Sequence, residues 1–250
     1  MKTDLGPPLG AGKEAEIYAY RPGWVVKLTR WRRDHAPARR EEAILRALGP
    51  TGLAPAANGV VQIDERWGVV MERIEGAPLF ERLAAPGGVD EVLDVMVRLH
   101  RRMHELAAPS ALSPLKDRLV RNITGTGLLD EPTRRRLLDL IPTLPDRDRL
   151  CHGDFHPFNI LGTGDNARIV DWLDSNAGDP AADVCRTFVL IGSVQPVLAE
   201  RYVDAYCAAC GIDRMAVYAW LPVVAAARLA EKVPEETPRL LALARGEKLR

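Results

Sequence analysis

A chain of 250 residues with 47% apolar and 27% charged side chains is long enough to bury a substantial core, and such a composition excludes a disordered polymer. Lys and Arg number 34 and Asp and Glu number 34, so the global attraction to nucleic acid or anionic lipid that marks a strongly basic chain is excluded too. No window approaches eighteen uncharged apolar residues, and the opening MKTDLGPPLG lacks the apolar stretch of a signal peptide. A cytoplasmic protein with neither a membrane nor a nucleic-acid partner is expected.

From Leu5 to about Arg73 the pattern is strand-like: AEIYAY, then WVVKL after the Arg21-Pro22-Gly23 turn, later VVQI and GVVMERI. One helix interrupts these strands, with apolar Ile44, Leu45 and Leu48 in ARREEAILRAL and a stop at Gly49-Pro50. Beyond Gly76 helices dominate, in DEVLDVMVRLHRRMHEL, PTRRRLLDLI, PVLAERYVDAYCAAC and DRMAVYAWLPVVAAARLAEKV, the last read as one continuous helix. Short strands recur only around NILG and ARIVDW. The expected fold class is therefore α+β, with a small antiparallel sheet and one helix over residues 1–75 and a mainly helical region over 76–250. The junction near residues 72–78 reads as a hinge, since no long linker is present.

The chemistry concentrates in HGDFHPFNIL, from His152 to Leu161, and in IVDWLD, which follows it. Asp154, Asn159 and Asp171 fall around one expected hairpin. Moving a phosphoryl group from ATP-Mg to an alcohol needs one group that orients the hydroxyl and accepts its proton, and two oxygen ligands for hard magnesium. Lys27 lies in an apolar strand, where an ammonium is expensive to bury without a partner. A phosphate and the carboxylate of Glu41, on the helix that follows, remove that cost. Gly10 and Gly12 in LGAGKEAEIY allow the backbone to approach phosphate oxygens. A P-loop is excluded, because no glycine lies five residues before Gly12 and Glu14 replaces the Ser/Thr that meets magnesium. In VVMERIEG, Met71 would pack behind an adenine, and backbone groups of Glu72 and Ile74 would pair with the base edge.

These segments, with GDPAADV after them, resemble the aminoglycoside phosphotransferase family of protein-kinase-like small-molecule kinases over nearly the whole chain. The resemblance implies a bilobal protein-kinase-like fold that uses ATP and Mg2+. It makes Asp154 the catalytic aspartate, Asn159 and Asp171 the magnesium ligands, Lys27 the phosphate-binding lysine and Glu41 its partner. It also makes Asp183 a support for the catalytic loop, and leaves Asp174 and Asp179 nearer the substrate. The third glycine of the protein-kinase loop is absent, with Ala15 in its place. Only a few residues separate Asp171 from GDPAADV, and no APE motif follows, so no platform for a peptide exists and a small-molecule hydroxyl acceptor is expected.

Residues 151–250 carry thirteen acidic against ten basic side chains, and Asp174, Asp179, Glu231, Glu235 and Glu236 would favour a cationic acceptor such as an aminoglycoside. A metabolite alcohol kinase of the same fold, acting on a sugar, choline or homoserine, is the alternative. A nucleotide-binding pseudoenzyme that acts through protein interaction is the alternative of another class. His100 and His104 lack the glutamate of a zincin helix and read as a packed or surface pair, His152 as a loop-holding group, and His156 as loop-shaping or near the acceptor. The basic run from Arg30 to Arg40 reads as the solvated approach to a helix. Cys207 and Cys210, at a helix end closed by Gly211, read with Cys151 and Cys185 as reduced thiols.

Overall fold

The computed structural model describes residues 5–32 and 34–247, the side chains of residues 31 and 32 excepted; Arg33 of the basic run thus lies outside the described residues. In chain order the strands are β1 (Gly10–Ala11), β2 (Ala15–Arg21), β3 (Trp24–Arg32), β4 (Ala57–Ile63), β5 (Arg66–Glu72), β6 (Arg149–Cys151), β7 (Ile160–Leu161), β8 (Arg168–Ile169) and β9 (Asn176–Gly178). The helices are α1 (Ala36–Leu48), α2 (Gly88–His104), α3 (Leu115–Gly125), α4 (Glu131–Leu140), α5 (Pro180–Gly192), α6 (Pro196–Cys210), α7 (Arg214–Tyr218), α8 (Leu221–Arg228) and α9 (Thr237–Arg245).

The chain forms two compact units. One runs up to Leu79 and takes in Phe158–Leu173; the other comprises Phe80–Pro157 and the chain from Asp174 onward. The expected boundary at residue 75 moves because the segment after the hinge stays on the first unit. There Pro78 bridges Leu161, the Gly162 N–H donates to Ala77 O at 3.3 Å, and the Ile169 N–H donates to Leu53 O at 2.8 Å.

The first unit is built on an antiparallel sheet of order β1-β2-β3-β5-β4. Alternation along β3 turns Val26 and Leu28 into a core with Ile63 and Val70, and sends Lys27 to the opposite face. Helix α1 buries Ala38, Ile44, Leu45 and Leu48. Glu41 shares that buried stripe, a carboxylate on an apolar face that demands a partner.

The second unit is helical around one small pairing, β6 with β9. Helix α2 carries Asp90 and Glu91 in its first turn and Arg101, Arg102 and His104 in its last, which suits the helix dipole. It packs on α6, and α5 packs between α6 and α8 with almost every residue buried. Strands β6 and β9 were not expected, because three residues are too short to display alternation. The expected single helix from Asp213 onward is two, α7 and α8, broken at Ala219-Trp220. Pro222 is the cause: it has no N–H to give the preceding turn, and it opens α8 instead. Among the described residues no helix is long and apolar enough to cross a membrane.

Candidate active site

In the first unit, register pairs Lys27 with Ile17 and with Val69, so the lysine sits on a central strand. Its Nζ lies 2.8 Å from Glu41 Oε1 and 2.8 Å from Asp171 Oδ1. Lys27 is 9% exposed and Glu41 3%, whereas the Asp171 side chain is about half exposed at 47%. Burial opposes the Lys27 charge, but the two carboxylates outweigh it and hold the ammonium above the ordinary lysine value. Burial drives the Glu41 carboxyl upward and Lys27 opposes that rise; an ammonium at 2.8 Å is the partner a carboxylate in this position requires.

Asp171 adopts φ 64°, a left-handed conformation that costs a non-glycine residue about 1 kcal/mol or more. Its neighbours hold it there. The Val170 N–H donates to Asn159 O at 2.9 Å, and the fully buried Trp172 donates Nε1–H to Ile169 O at 2.8 Å. The β7–β8 pairing, Ile160 with Ile169, thereby sets Asn159 against the residue preceding Asp171. An amide oxygen and a half-exposed carboxylate are the hard oxygen donors that suit Mg2+.

Gly10 pairs with Ile17, and the Gly12 N–H donates to Ala15 O at 2.9 Å. A Cβ at Gly10 would meet nothing within 4 Å, and at Gly12 only Ala15 O at 3.8 Å. Nothing in the fold itself requires glycine at either position, and the open space is what an approaching phosphate needs. Met71 is buried on β5 against Val25 and Ala57. The Glu72 N–H is committed to Ala56 O at 2.8 Å and the Arg73 N–H to Gly23 O at 2.9 Å, and Ile74 is half-buried.

In the second unit, Asp183 organises the loop that carries Asp154. One oxygen accepts the His152 N–H at 2.7 Å, the other the Gly153 N–H at 2.8 Å. His100 and His104, one turn apart on α2, both direct Nε2 to Asp183 Oδ2, at 3.0 and 3.2 Å. Their Nδ1 atoms meet the hydroxyls of Tyr202 and Tyr206, the latter at 2.7 Å. The three potential ligand atoms lie within 4.8 Å of one another, a spacing that would suit a metal. The hydrogen bonds account for them without one: burial pushes His100 down to about 3, so its neutral ring donates from Nε2 and accepts from Tyr202 at Nδ1. The histidines are a packed pair, and their convergence on Asp183 has only one sequence signal, the spacing of four on an apolar helix face.

Gly153 has φ 79°, and a Cβ there would stand 2.4 Å from Asp174 O and 2.8 Å from Arg118 Nη1, so glycine is required. The Asp154 N–H donates to His152 Nδ1 at 3.2 Å, the loop-holding role expected of that histidine. His156 Nε2 lies 3.4 Å from Asp154 Oδ2. Burial raises the Asp154 carboxyl, but His156, Arg186 and His152 together hold it well below the ordinary aspartate value. Arg186 donates Nε–H to Gly153 O at 3.0 Å, and Thr187 donates to Phe155 O at 2.9 Å. Asp179 caps α5 by accepting the Ala181 N–H at 2.7 Å and is nearly sealed from solvent, which makes it structural. All four cysteines are free thiols, three of them buried.

A strand lysine tied to a helix glutamate and to a strained aspartate, with a separately braced loop aspartate, is the equipment of a kinase-like phosphotransferase. Over residues 7–221 the chain matches the phosphotransferase enzyme family, APH, and it belongs to that family. It is therefore a small-molecule kinase, an enzyme that moves a phosphoryl group to an alcohol. No curated protein matches the sequence. The fold is similar to that of a thermostable mutant of aminoglycoside phosphotransferase APH(4)-Ia in ternary complex with ADP and hygromycin B. There the identity is 14% and the TM-score 0.69, over 96% of this chain and 90% of that one. It is also similar to APH(3'')-Id from Streptomyces rimosus (19%, TM-score 0.64, 90% and 93%) and to a choline/ethanolamine kinase family protein from Mesorhizobium loti (19%, TM-score 0.65, 96% and 87%). At such identities the likeness carries the kinase-like fold, and the family match carries the class of enzyme.

Proposed function

We propose that the protein transfers the γ-phosphoryl group of ATP to a hydroxyl of a small molecule, in a magnesium-dependent reaction in the cytoplasm. The observation that carries this reading is the double ion pair of Lys27, because a strand lysine held between a buried glutamate and a half-exposed, strained aspartate is poised to exchange one carboxylate for a phosphate. One fold relative was solved in complex with ADP, which supports an adenine nucleotide here. The free thiols fit a reducing compartment.

In this reading Glu41 fixes Lys27 toward the α- and β-phosphates, and the amides around Gly10 and Gly12 cover the triphosphate. Met71, the Glu72 carbonyl and the Ile74 backbone take the adenine. Asn159 and Asp171 hold magnesium, which when bound neutralises charge on the phosphate oxygens. Asp154 orients the acceptor hydroxyl. Its oxygen forms a bond to the γ-phosphorus as the bond to the bridging β–γ oxygen breaks, ADP leaves, and the proton passes to Asp154. A carboxylate held so far below its ordinary value is a weak base, so Asp154 acts mainly by orientation and receives the proton late. The unit that runs up to Leu79 and takes in Phe158–Leu173 would then be the nucleotide-binding lobe, and the other unit the lobe of the catalytic loop and acceptor helices.

The acceptor classes that accompany this reading are an aminoglycoside-type antibiotic and a metabolite alcohol of sugar, choline or homoserine type. ATP consumption measured with and without each class tests it. Turnover that depends on an added alcohol is expected, and a protein that binds nucleotide yet consumes no ATP with any of the alcohols would be the pseudoenzyme.

A further inference from the structure

The acidic side chains that make the last hundred residues attractive to a cationic acceptor are consumed inside the second unit. Arg118 Nη2 lies 2.9 Å from Asp174 Oδ2, and its Nη1 donates to Asp174 O at 2.5 Å. Arg228 holds Glu236 with two parallel bonds, Nε to Oε2 at 2.7 Å and Nη2 to Oε1 at 2.9 Å, and gives Nη1 to Glu231. Arg186 joins the same glutamate, Nη2 to Glu231 Oε1 at 2.5 Å. Asp179 is spent on capping α5 and lies 3.3 Å from Arg147 Nε. Of the five acidic groups, Glu235 alone has no cation against it among the described residues, and it is exposed.

These arginines are not remote from the chemistry. Arg186 binds the carbonyl of Gly153 at 3.0 Å, and Arg118 Nη1 would lie 2.8 Å from a Cβ at Gly153, so two guanidinium groups flank the residue before Asp154. The side chains of Arg118, Arg186 and Arg228 are only 16%, 11% and 12% exposed. A polycation could recruit Asp174, Glu231 or Glu236 only by leaving one of these partly buried guanidinium groups without its partner, a loss that ordinarily exceeds what a new surface pair returns. Each guanidinium instead offers N–H donors to hydroxyl or carboxylate oxygens.

We infer that the acceptor is a hydroxylated small molecule without net positive charge, of sugar, inositol or hydroxy-acid type, and not a polyamine antibiotic. The inference deepens the proposed phosphotransfer and rests on Asp154 meeting the acceptor.

The test begins with binding, which needs no turnover. Kanamycin is titrated into the ADP-Mg-saturated protein at an ionic strength of about 0.15 M. A Kd weaker than ~100 μM is expected, and a tighter one overturns the inference. Arg228→Gln, which releases Glu236 while Arg186 keeps Glu231, and Arg118→Gln, which releases Asp174, are titrated in parallel, so that one misfolded variant leaves the other to decide. A gain in kanamycin affinity of about tenfold or more is expected in whichever variant keeps a cooperative melt, and an unchanged or weakened affinity there overturns the neutralisation argument. In the turnover arm, kcat/KM for the best of a panel of sugars, inositols and hydroxy acids should exceed that for kanamycin by about a hundredfold, and the reverse order also overturns it. Silence toward every acceptor strikes at the phosphotransfer reading instead, with the binding arm still deciding acceptor charge.

Discussion

Lys27 and Glu41, fourteen residues apart, meet at 2.8 Å with both side chains almost sealed from water. Neither charge is tolerable there alone. Lys27→Met therefore strands a buried carboxylate and should cost about 3–5 kcal/mol in a urea unfolding experiment. The double variant Lys27→Met/Glu41→Leu should recover most of that loss and remain inactive. A double variant as unstable as the single one would mean that the pair is not the source of the cost.

Asp154 is braced by contacts other than its own carboxylate: Asp183 holds the two preceding N–H groups and Arg186 the Gly153 carbonyl. Removing the carboxylate should leave that loop in place. Asp154→Ala is expected to bind ATP-Mg with unaltered affinity while kcat drops by roughly two orders of magnitude or more. Steady-state kinetics and nucleotide titration check both halves, and near-normal turnover removes Asp154 from the mechanism.

Asn159 belongs to a short hairpin that Asp171 shares. Asn159→Ala should raise the Mg2+ concentration needed for half-maximal activity by about tenfold or more. Saturating magnesium should restore part of the rate. A variant with an unchanged magnesium requirement would show that Asn159 is not a ligand.

The cluster around Asp183 links acid stability to the catalytic loop. His100 is held at about 3, below its ordinary 6.5, and faces His104, His152, Asp183, Tyr202 and Tyr206. As pH falls from about 6.5 toward 3, the unfolded chain takes up a proton that the folded His100 refuses, so stability present above pH 6.5 is eroded at about 1.4 kcal/mol per pH unit. Asp183, held well below its ordinary 3.8, adds to the loss below that pH. His100→Gln should be less stable at pH 7 but show a flatter decline between pH 6.5 and 4. Denaturant melts across that range decide it: parallel slopes would assign the titration elsewhere.

The legible part of this protein is the part carried by short stretches of chain. The apolar run WVVKL after the Arg21-Pro22-Gly23 turn put Lys27 on a strand, the stop at Gly49-Pro50 closed α1 where it ends, and Gly211 closes α6 at φ 65°. The break at Trp220 was missed because the apolar residues on either side of Pro222 keep helical spacing, while the backbone defect acts only locally. The sheet β6–β9 left no pattern, since each strand contributes three residues.

The order HxDxxxxN, the strand aspartate after it and the lysine strand before it determined the enzyme class, because phosphoryl transfer constrains residue types and their order along the chain. Tertiary structure alone decided which charges remain available. Asp171 reaches Lys27 across 144 residues, Arg118 reaches Asp174 across 56, and Arg186 reaches Glu231 across 45. Such pairs depend on how helices and strands pack, and a Coulomb interaction between them is decided by a few ångströms of separation and by the water excluded around them. A charge count sees every carboxylate, whereas only the packed chain shows which ones already have an arginine.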